Sequence, residues 1–332
     1  MAKTKRKKRP TALRVAFIGA GARAVSAHYM SIRDIQGAEL AAVAELDEQR
    51  MQAAAEQFDL APDHLYTDYR AMIEREKPHV VYAVMPPHHL FDVAATVMDM
   101  GCHLVVEKPP GVTSEQTRQL ALIARRKGVL TAVTFQRRFC PVVCEGKRLC
   151  EARGPVHSAV ATFYKHTLGQ GPYYGGAMDV LTCDGIHAVD TLRALCGGEV
   201  EAVASDVRRL EAEHTNAYLA LVRFSSGARG VLLTNWMAGR RFFTIELHAP
   251  GISCFGDPEE GGAVYADGQA EPVRTLDPFE LAGSREPHRA FGPLDMNRHF
   301  IDCFRRGRAP ATSLDDALKT MELVDAIYGA QI

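Results

Sequence analysis

A chain of 332 residues, 47% hydrophobic and 24% charged, is long enough for two globular cores and has the composition of an ordinary folded protein rather than a disordered one. The net charge of −1 is uneven: six Lys/Arg fall within MAKTKRKKRP, and without them the remainder carries −7. No uninterrupted apolar run approaches the ~20 residues that a bilayer-crossing helix needs.

Residues 1–10 read as a solvated basic leader. It lacks an apolar h-region and a small-residue cleavage site, so no export signal is expected and a cytoplasmic setting is assigned. No basic recognition motif follows it, so neither nucleic acid nor a membrane is expected as a partner. The eight cysteines form no CxxC pair and read as reduced, mostly buried thiols. Cys140, Cys144 and Cys150 lack the paired spacing of a structural zinc site, and no metal is expected.

From Leu13 the chain alternates between two patterns. LRVAFIGAG reads as a strand, the stretch through Ile35 as a helix, and AELAAVAEL as a second strand. Glu48–Phe58 and DYRAMIEREK read as helices, and HVVYAVMP and HLVVEKP are short β-rich runs flanking the helical HLFDVAATVMDMG. SEQTRQLALIARRKG is a helix with Ser114 as its expected N-cap, and VLTAVTF closes the series as a strand. Such alternation predicts an α/β domain over residues 11–135, a doubly wound parallel sheet whose ligands bind beyond the carboxyl ends of its strands.

The first strand ends in Gly19-Ala20-Gly21-Ala22-Arg23-Ala24. Gly19 permits a tight turn, Gly21 lets the backbone approach a pyrophosphate, and Ala24 is small where helix packs on strand. The amides that open the helix, around Ala22 and Arg23, face the phosphates. Glu45 ends the second strand, where a carboxylate accepts ribose hydroxyls and repels a 2′-phosphate. This is the Rossmann dinucleotide pattern, with NAD preferred to NADP because no cation follows Glu45 until Arg50. Lys108 stands at the carboxyl edge of HLVVE, where the nicotinamide is expected and an ammonium can hold a substrate oxygen. Pro109 after it allows a cis peptide bond.

From residue 136 the pattern changes. VHSAVATFYKH, AYLALVRFSSGARGVLLTNWM and RRFFTIELHAP are β-rich, and SSG is a turn joining two strands of an antiparallel meander. Residues 257–288, Gly/Pro-rich and acidic, read as a long excursion beside the site or an interface, and a last helix is expected from Leu314 to Tyr328 with Ser313 as N-cap. Around TCDGIHAVD, a helical wheel puts Cys183, Asp184, His187, Asp190 and Thr191 within roughly 120° of arc, with Ile186, Val189, Leu192 and Leu195 outside it. That polar stripe suits a pocket wall. Tyr173, Tyr174, Lys165, Trp236 and Arg240 read as core or solvated positions rather than ligand contacts.

Taken together, GAGARA, MPPHH (85–89), GCHLVVEKPPG (101–111), FQRRFCP (135–141), GGAMDVLTCDGIHAVD (175–190) and the ending FIDCFRRGRAPATSLDDALKTMELVDAIY resemble the glucose–fructose oxidoreductase, inositol dehydrogenase and MocA-like family. The resemblance covers nearly the whole chain from residue 13. It implies a second, α+β domain over residues 136–332 with a large, open, mostly antiparallel sheet. One face of that sheet would carry the substrate pocket and the other a subunit interface, giving a homodimer or homotetramer. The implied activity is NAD(H)-dependent hydride transfer between a sugar or cyclitol secondary alcohol and its ketone. Lys108 and His187 would be catalytic, the histidine as acid or base; Asp190 and Arg137 would contact substrate; Pro86 and Glu107 would border the cofactor.

Two departures stand out. Sugar-oxidising members carry an aspartate four residues before the histidine, and Cys183 occupies that position here. Asp184, three residues before it, either replaces that carboxylate as a substrate-binding group or caps the helix. Leu90 stands where members often have a histidine, on the cofactor rim. The altered acid/base set leaves two alternatives: a lyase or glycosidase in which bound NAD is oxidised and reduced transiently, and a catalytically silent NAD-sensing or scaffold relative.

Overall fold

The computed structural model describes residues 12–332, so the basic leader lies outside the described residues. Six strands, β1 (Leu13–Ile18), β2 (Ala38–Ala44), β3 (Leu65–Tyr66), β4 (Val80–Ala83), β5 (His103–Val106) and β6 (Thr131–Val133), form one parallel sheet in the order β3-β2-β1-β4-β5-β6. The order reverses at β1, and the crevice beyond the strand ends opens there. Every residue of β4 is buried, as an apolar strand covered on both faces requires.

The crossovers carry α1 (Met30–Asp34), α2 (Glu48–Phe58), α3 (Tyr69–Glu76), α4 (Leu90–Asp99) and α5 (Ser114–Lys127). Asp47 and Asp68 cap α2 and α3 by accepting first-turn amides. The cap of α5 is Thr113, which accepts the Gln116 amide; Ser114, expected as the cap, is the first helical residue.

The second sheet has eight strands: β7 (Ser158–His166), β8 (Val200–Arg208), β9 (Ala217–Phe224), β10 (Arg229–Asn235), β11 (Met237–Ala249), β12 (Ile252–Asp257), β13 (Gly261–Ala266) and β14 (Arg274–Leu276). Their order is β14-β13-β12-β11-β7-β10-β9-β8, antiparallel except where β7 and β10 run parallel. Residues 257–288 are therefore not a loose excursion. They build the sheet edge through β13 and β14 and continue into α8 (Pro278–Ala282) and α9 (Pro287–Ala290), the last two following α6 (Pro141–Glu151) and α7 (Ile186–Cys196) in chain order.

Helices α10 (Pro293–Arg306) and α11 (Leu314–Gly329) end the chain. Ser313 caps α11 through the Asp316 amide, as expected. Both helices return to the parallel sheet: Leu294, Phe300 and Ile301 of α10 join the core of Val15, Phe17 and Tyr82, and the Val133 amide donates to the Thr312 carbonyl at 2.7 Å. The other core cluster runs unbroken from Ala16 of the first sheet through α7 to Leu247 of the second. Continuous packing fixes the two sheets against each other and shapes the cleft between them. Among the described residues the eight cysteines are unpaired, seven of them buried, and no helix is long and apolar enough to cross a membrane.

Candidate active site

The glycine turn is built by two different constraints. Gly19 has φ +103°, and a Cβ there would lie 2.2 Å from the Val84 carbonyl oxygen, so only glycine lets β1 and β4 close up. At Gly21 a Cβ would meet nothing among the described residues within 4 Å: its hydrogen faces open space at the crevice. Glu45 is pinned at the end of β2, one oxygen accepting the Ala20 amide at 2.7 Å and the other the Leu46 amide at 2.8 Å. The helix after the turn opens as a π-helix, Ala24–Tyr29, before α1. From it the buried His28 lies 3.1 Å from Glu107.

At the end of β5 the Lys108–Pro109 peptide is cis. Glu107 is enclosed; burial alone would raise its pKa, but the bond from His28 and the charges of Arg23 (3.4 Å away) and Lys108 reverse this and hold it near about 2. The Lys108 ammonium reaches across the cleft, donating to the Cys183 carbonyl at 2.8 Å and standing 3.6 Å from the Asp184 carboxylate.

That carbonyl and that carboxylate belong to a second π-helix, Leu181–Gly185, which runs directly into α7. Asp184 is not a helix cap. Asp179 accepts the Thr182 amide at 2.8 Å, and Asp184 instead faces the cleft, paired with Lys165 and accepting from the Tyr173 hydroxyl at 2.8 Å. Trp236 donates to the same hydroxyl at 3.2 Å. Burial opposes ionisation of Asp184, but Lys108 and Lys165 outweigh it and its pKa falls below the ordinary range. His187, one turn on, is buried, with Nδ1 enclosed and without a partner among the described residues. Burial first, then the positive charges of Lys108, Arg137, Arg23 and Lys165, drive its pKa well below that of a free imidazole. It is therefore neutral near pH 7 and able to accept a proton.

One cleft of about 1060 Å³, large by the standard of small-molecule sites, joins these groups. Its first half is lined by Gly19, Gly21, Ala22, Arg23, Glu45 and Pro86, and its second by Glu107, Lys108, Arg137, Asp184 and His187. Asp190 is the exception and corrects the expectation that it touches substrate. It is 1% exposed and lies away from the cleft, bonded by Arg138 (Nε to Oδ2, 2.6 Å) and by the Thr320 hydroxyl at 3.0 Å. The polar stripe of α7 thus serves two environments, cleft at one end and core at the other.

Leu90 is fully buried, while its neighbour His89 lines the cleft. Sequence reasoning also passed over Lys165, Tyr174, Arg241, Glu259 and His288, which line it. Arg240 is exposed and pairs with Glu260 at 3.0 Å, so the cleft-facing arginine is its neighbour. For Lys165 a signal existed: it lies two residues from the buried Phe163 on β7, hence on the same sheet face.

A dinucleotide-type turn, an acid at the end of β2 and a lysine facing a neutral histidine across one cleft define an oxidoreductase of the dehydrogenase class. Residues 13–135 match the family model described as an oxidoreductase family, NAD-binding Rossmann fold, and residues 153–250 match the GFO/IDH/MocA C-terminal domain. The chain belongs to the GFO/IDH/MocA family of oxidoreductases. Its relatives include a D-apiose dehydrogenase of Paraburkholderia graminis, 29% identical over 325 residues, covering 91% of this chain and 83% of the relative. The scyllo-inositol 2-dehydrogenase (NAD(+)) of Bacillus subtilis is 23% identical, covering 88% and 86%. Among solved structures, a levoglucosan dehydrogenase in complex with NADH superposes with a TM-score of 0.81 at 21% identity, covering 96% of each chain, and shares the fold.

Proposed function

We propose that this protein transfers hydride between NAD and a secondary alcohol of a sugar or cyclitol, or runs the reverse reduction of the ketone. The observation that carries the reading is the meeting of Lys108, from the carboxyl edge of the parallel sheet, with the helix that bears His187, across a cleft whose other half is the glycine turn. The open space at Gly21, the amides of Ala22 and Arg23, and Glu45 fit a dinucleotide pyrophosphate and ribose. Glu45 disfavours a 2′-phosphate, and Arg50, which also lines the cleft, lies 3.4 Å from the Asp47 carboxylate rather than free. When bound, NAD supplies the hydride acceptor. The chain's own groups manage the proton: neutral His187 accepts it from the substrate hydroxyl, and the Lys108 ammonium stabilises the oxygen that is left charged. Asp184, on the cleft wall, holds Lys108 and Lys165 in place. The relatives named for apiose and scyllo-inositol support a polyhydroxylated substrate.

The test is turnover on a polyol and keto-sugar panel with Lys108→Met and His187→Gln. Each should lower kcat at least about 100-fold with NAD affinity kept within about threefold, general acid–base catalysis being worth roughly 10²–10⁴. Wild-type turnover in both variants would refute the assignment. Turnover with no net change at the NADH absorbance would point to the transient-redox alternative instead.

A further inference from the structure

The half of the cleft around and beyond Lys108 has an excess of positive charge, of which the hydride-transfer reading uses only Lys108. Lys108 and Lys165 share one carboxylate, Asp184. Arg137 and Arg241 share one more, Glu259, at 2.6 and 2.8 Å. All six groups line the cleft, so four cations face two anions there. Of the other nearby charges, Arg23 and His28 bond Glu107, His288 lies 2.6 Å from Asp34, and Asp257, outside the cleft lining, accepts the Glu259 amide at 2.8 Å while its charge also acts on Arg241.

The cations gather on one patch of the sheet at graded depth: Arg137 is buried, Lys165 is partly buried and Arg241 is exposed. Phe163 of β7 pairs in register with Phe243 of β11, and the next regular pair is Tyr164 with Phe242. The ladder is irregular beyond that pair, yet both Lys165 and Arg241 reach back over the Phe163 ring and line the cleft. Like charges gathered over one ring repel, and an added anion would relieve that repulsion. Beneath them lies an aromatic floor: Phe163 is 5.2 Å from the Lys165 ammonium and 5.7 Å from the Arg241 guanidinium carbon, and Phe243 is 5.0 Å from that of Arg137. Rings satisfy cations only partly and exclude the water that would screen them. Arg137 is 6% exposed, and its Nε and Nη1 have no hydrogen-bond partner among the described residues. Buried guanidinium nitrogens without an acceptor mark a place where an acceptor is missing.

We infer that the substrate of this site carries an anionic oxygen group, a carboxylate or a phosphate monoester, seated against Lys165, Arg241 and Arg137 while its alcohol faces Lys108 and His187. The inference rests on the dehydrogenase reading and narrows it from neutral polyols to sugar acids or sugar phosphates. Glu259, on the hairpin between β12 and β13, holds both arginines at the site.

The experiment compares matched triplets, a hexose with its uronic acid and its 6-phosphate, in the gluco, galacto and manno series. Initial rates with NAD are read alongside calorimetric binding to the NADH-saturated protein. At least one anionic member should exceed its neutral hexose at least tenfold in kcat/KM or affinity, and the uronate and phosphate arms tell the two anions apart. Lys165→Met and Arg241→Gln, made separately in case one perturbs folding, should each cut that preference at least fivefold, with the loss falling on KM more than on kcat. A neutral hexose preferred in every series, a preference untouched by both variants, or no binding of any anionic member overturns the inference. Turnover of neutral sugars alone would leave the dehydrogenase reading standing and remove only this one. Anion binding without turnover of any sugar would do the reverse.

Discussion

Asp190→Ala separates a structural aspartate from a substrate-binding one. Asp190 is buried against Arg138, which also lies 2.7 Å from Asp316 and donates to the Ala311 carbonyl at 3.2 Å. Burial raises the Asp190 pKa even though Arg138 pulls it down, so desolvation consumes much of what the pair gains. Removing one partner of a buried pair costs about 3–5 kcal/mol, and here the low end applies because Arg138 keeps Asp316. At about 2.1 cal/mol/K per residue, unfolding 332 residues carries about 0.7 kcal/mol/K, so about 3 kcal/mol lowers Tm by about 4 °C. Scanning calorimetry should record that drop, while KM for any accepted substrate stays within about twofold. Asp190→Leu with Arg138→Met should recover most of the loss, since apolar groups of similar volume replace such pairs at little cost. An unchanged Tm with KM raised tenfold would refute the reasoning and return Asp190 to the substrate.

Gly21→Ala should fold with an unchanged Tm, because its Cβ points into open space, yet weaken NAD binding at least tenfold in a fluorescence titration. Gly19→Ala, driven against the Val84 carbonyl at φ +103°, should lower Tm as well. Glu45→Ser should narrow the preference for NAD over NADP in paired Kd measurements by an order of magnitude or more. The His187 imidazole should titrate below the free value of ~6.5 by NMR, and Lys108→Met should move it upward. The sign for stability follows. The unfolded chain takes up this proton near pH 6.5 and the folded one only at lower pH, so the contribution is complete above ~6.5 and fades as pH falls below it. A resonance titrating at or above 6.5 would contradict the buried, cation-flanked setting.

The parallel half was legible because its strands are covered on both sides and its turn needs glycine for a steric reason a sequence displays. Lys108 was legible for a related reason: it follows a buried strand, and strand ends are where such sheets bind ligands. Asp190 misled because a helical wheel gives direction but not depth; the same stripe that faces the cleft at His187 faces Arg138 and Thr320 one turn later. Arg241, unlike Lys165, was hidden by register. Its strand pairs irregularly with β7 between Met237 and Phe242, so alternation alone could not say whether Arg240 or Arg241 turned inward.

The π-helices explain what no 3.6-residue count could supply. Both helices that deliver polar side chains to the centre of the cleft begin with one, Ala24–Tyr29 after the glycine turn and Leu181–Gly185 before α7. A π-turn closes its bonds five residues apart and widens the helix, and such turns recur at functional sites. In the first, the wider turn carries His28 to Glu107, fixing the carboxylate next to Lys108. In the second, the Cys183 carbonyl is turned to the Lys108 ammonium while the Asp184 carboxylate lies beside it. Where the resemblance implies an aspartate four residues before His187, Lys108 meets two groups in succession, a backbone carbonyl at Cys183 and a side chain at Asp184. If those two groups are what hold Lys108, then Cys183→Asp should add little to turnover in initial-rate assays, because the Cys183 side chain is not the group the lysine uses.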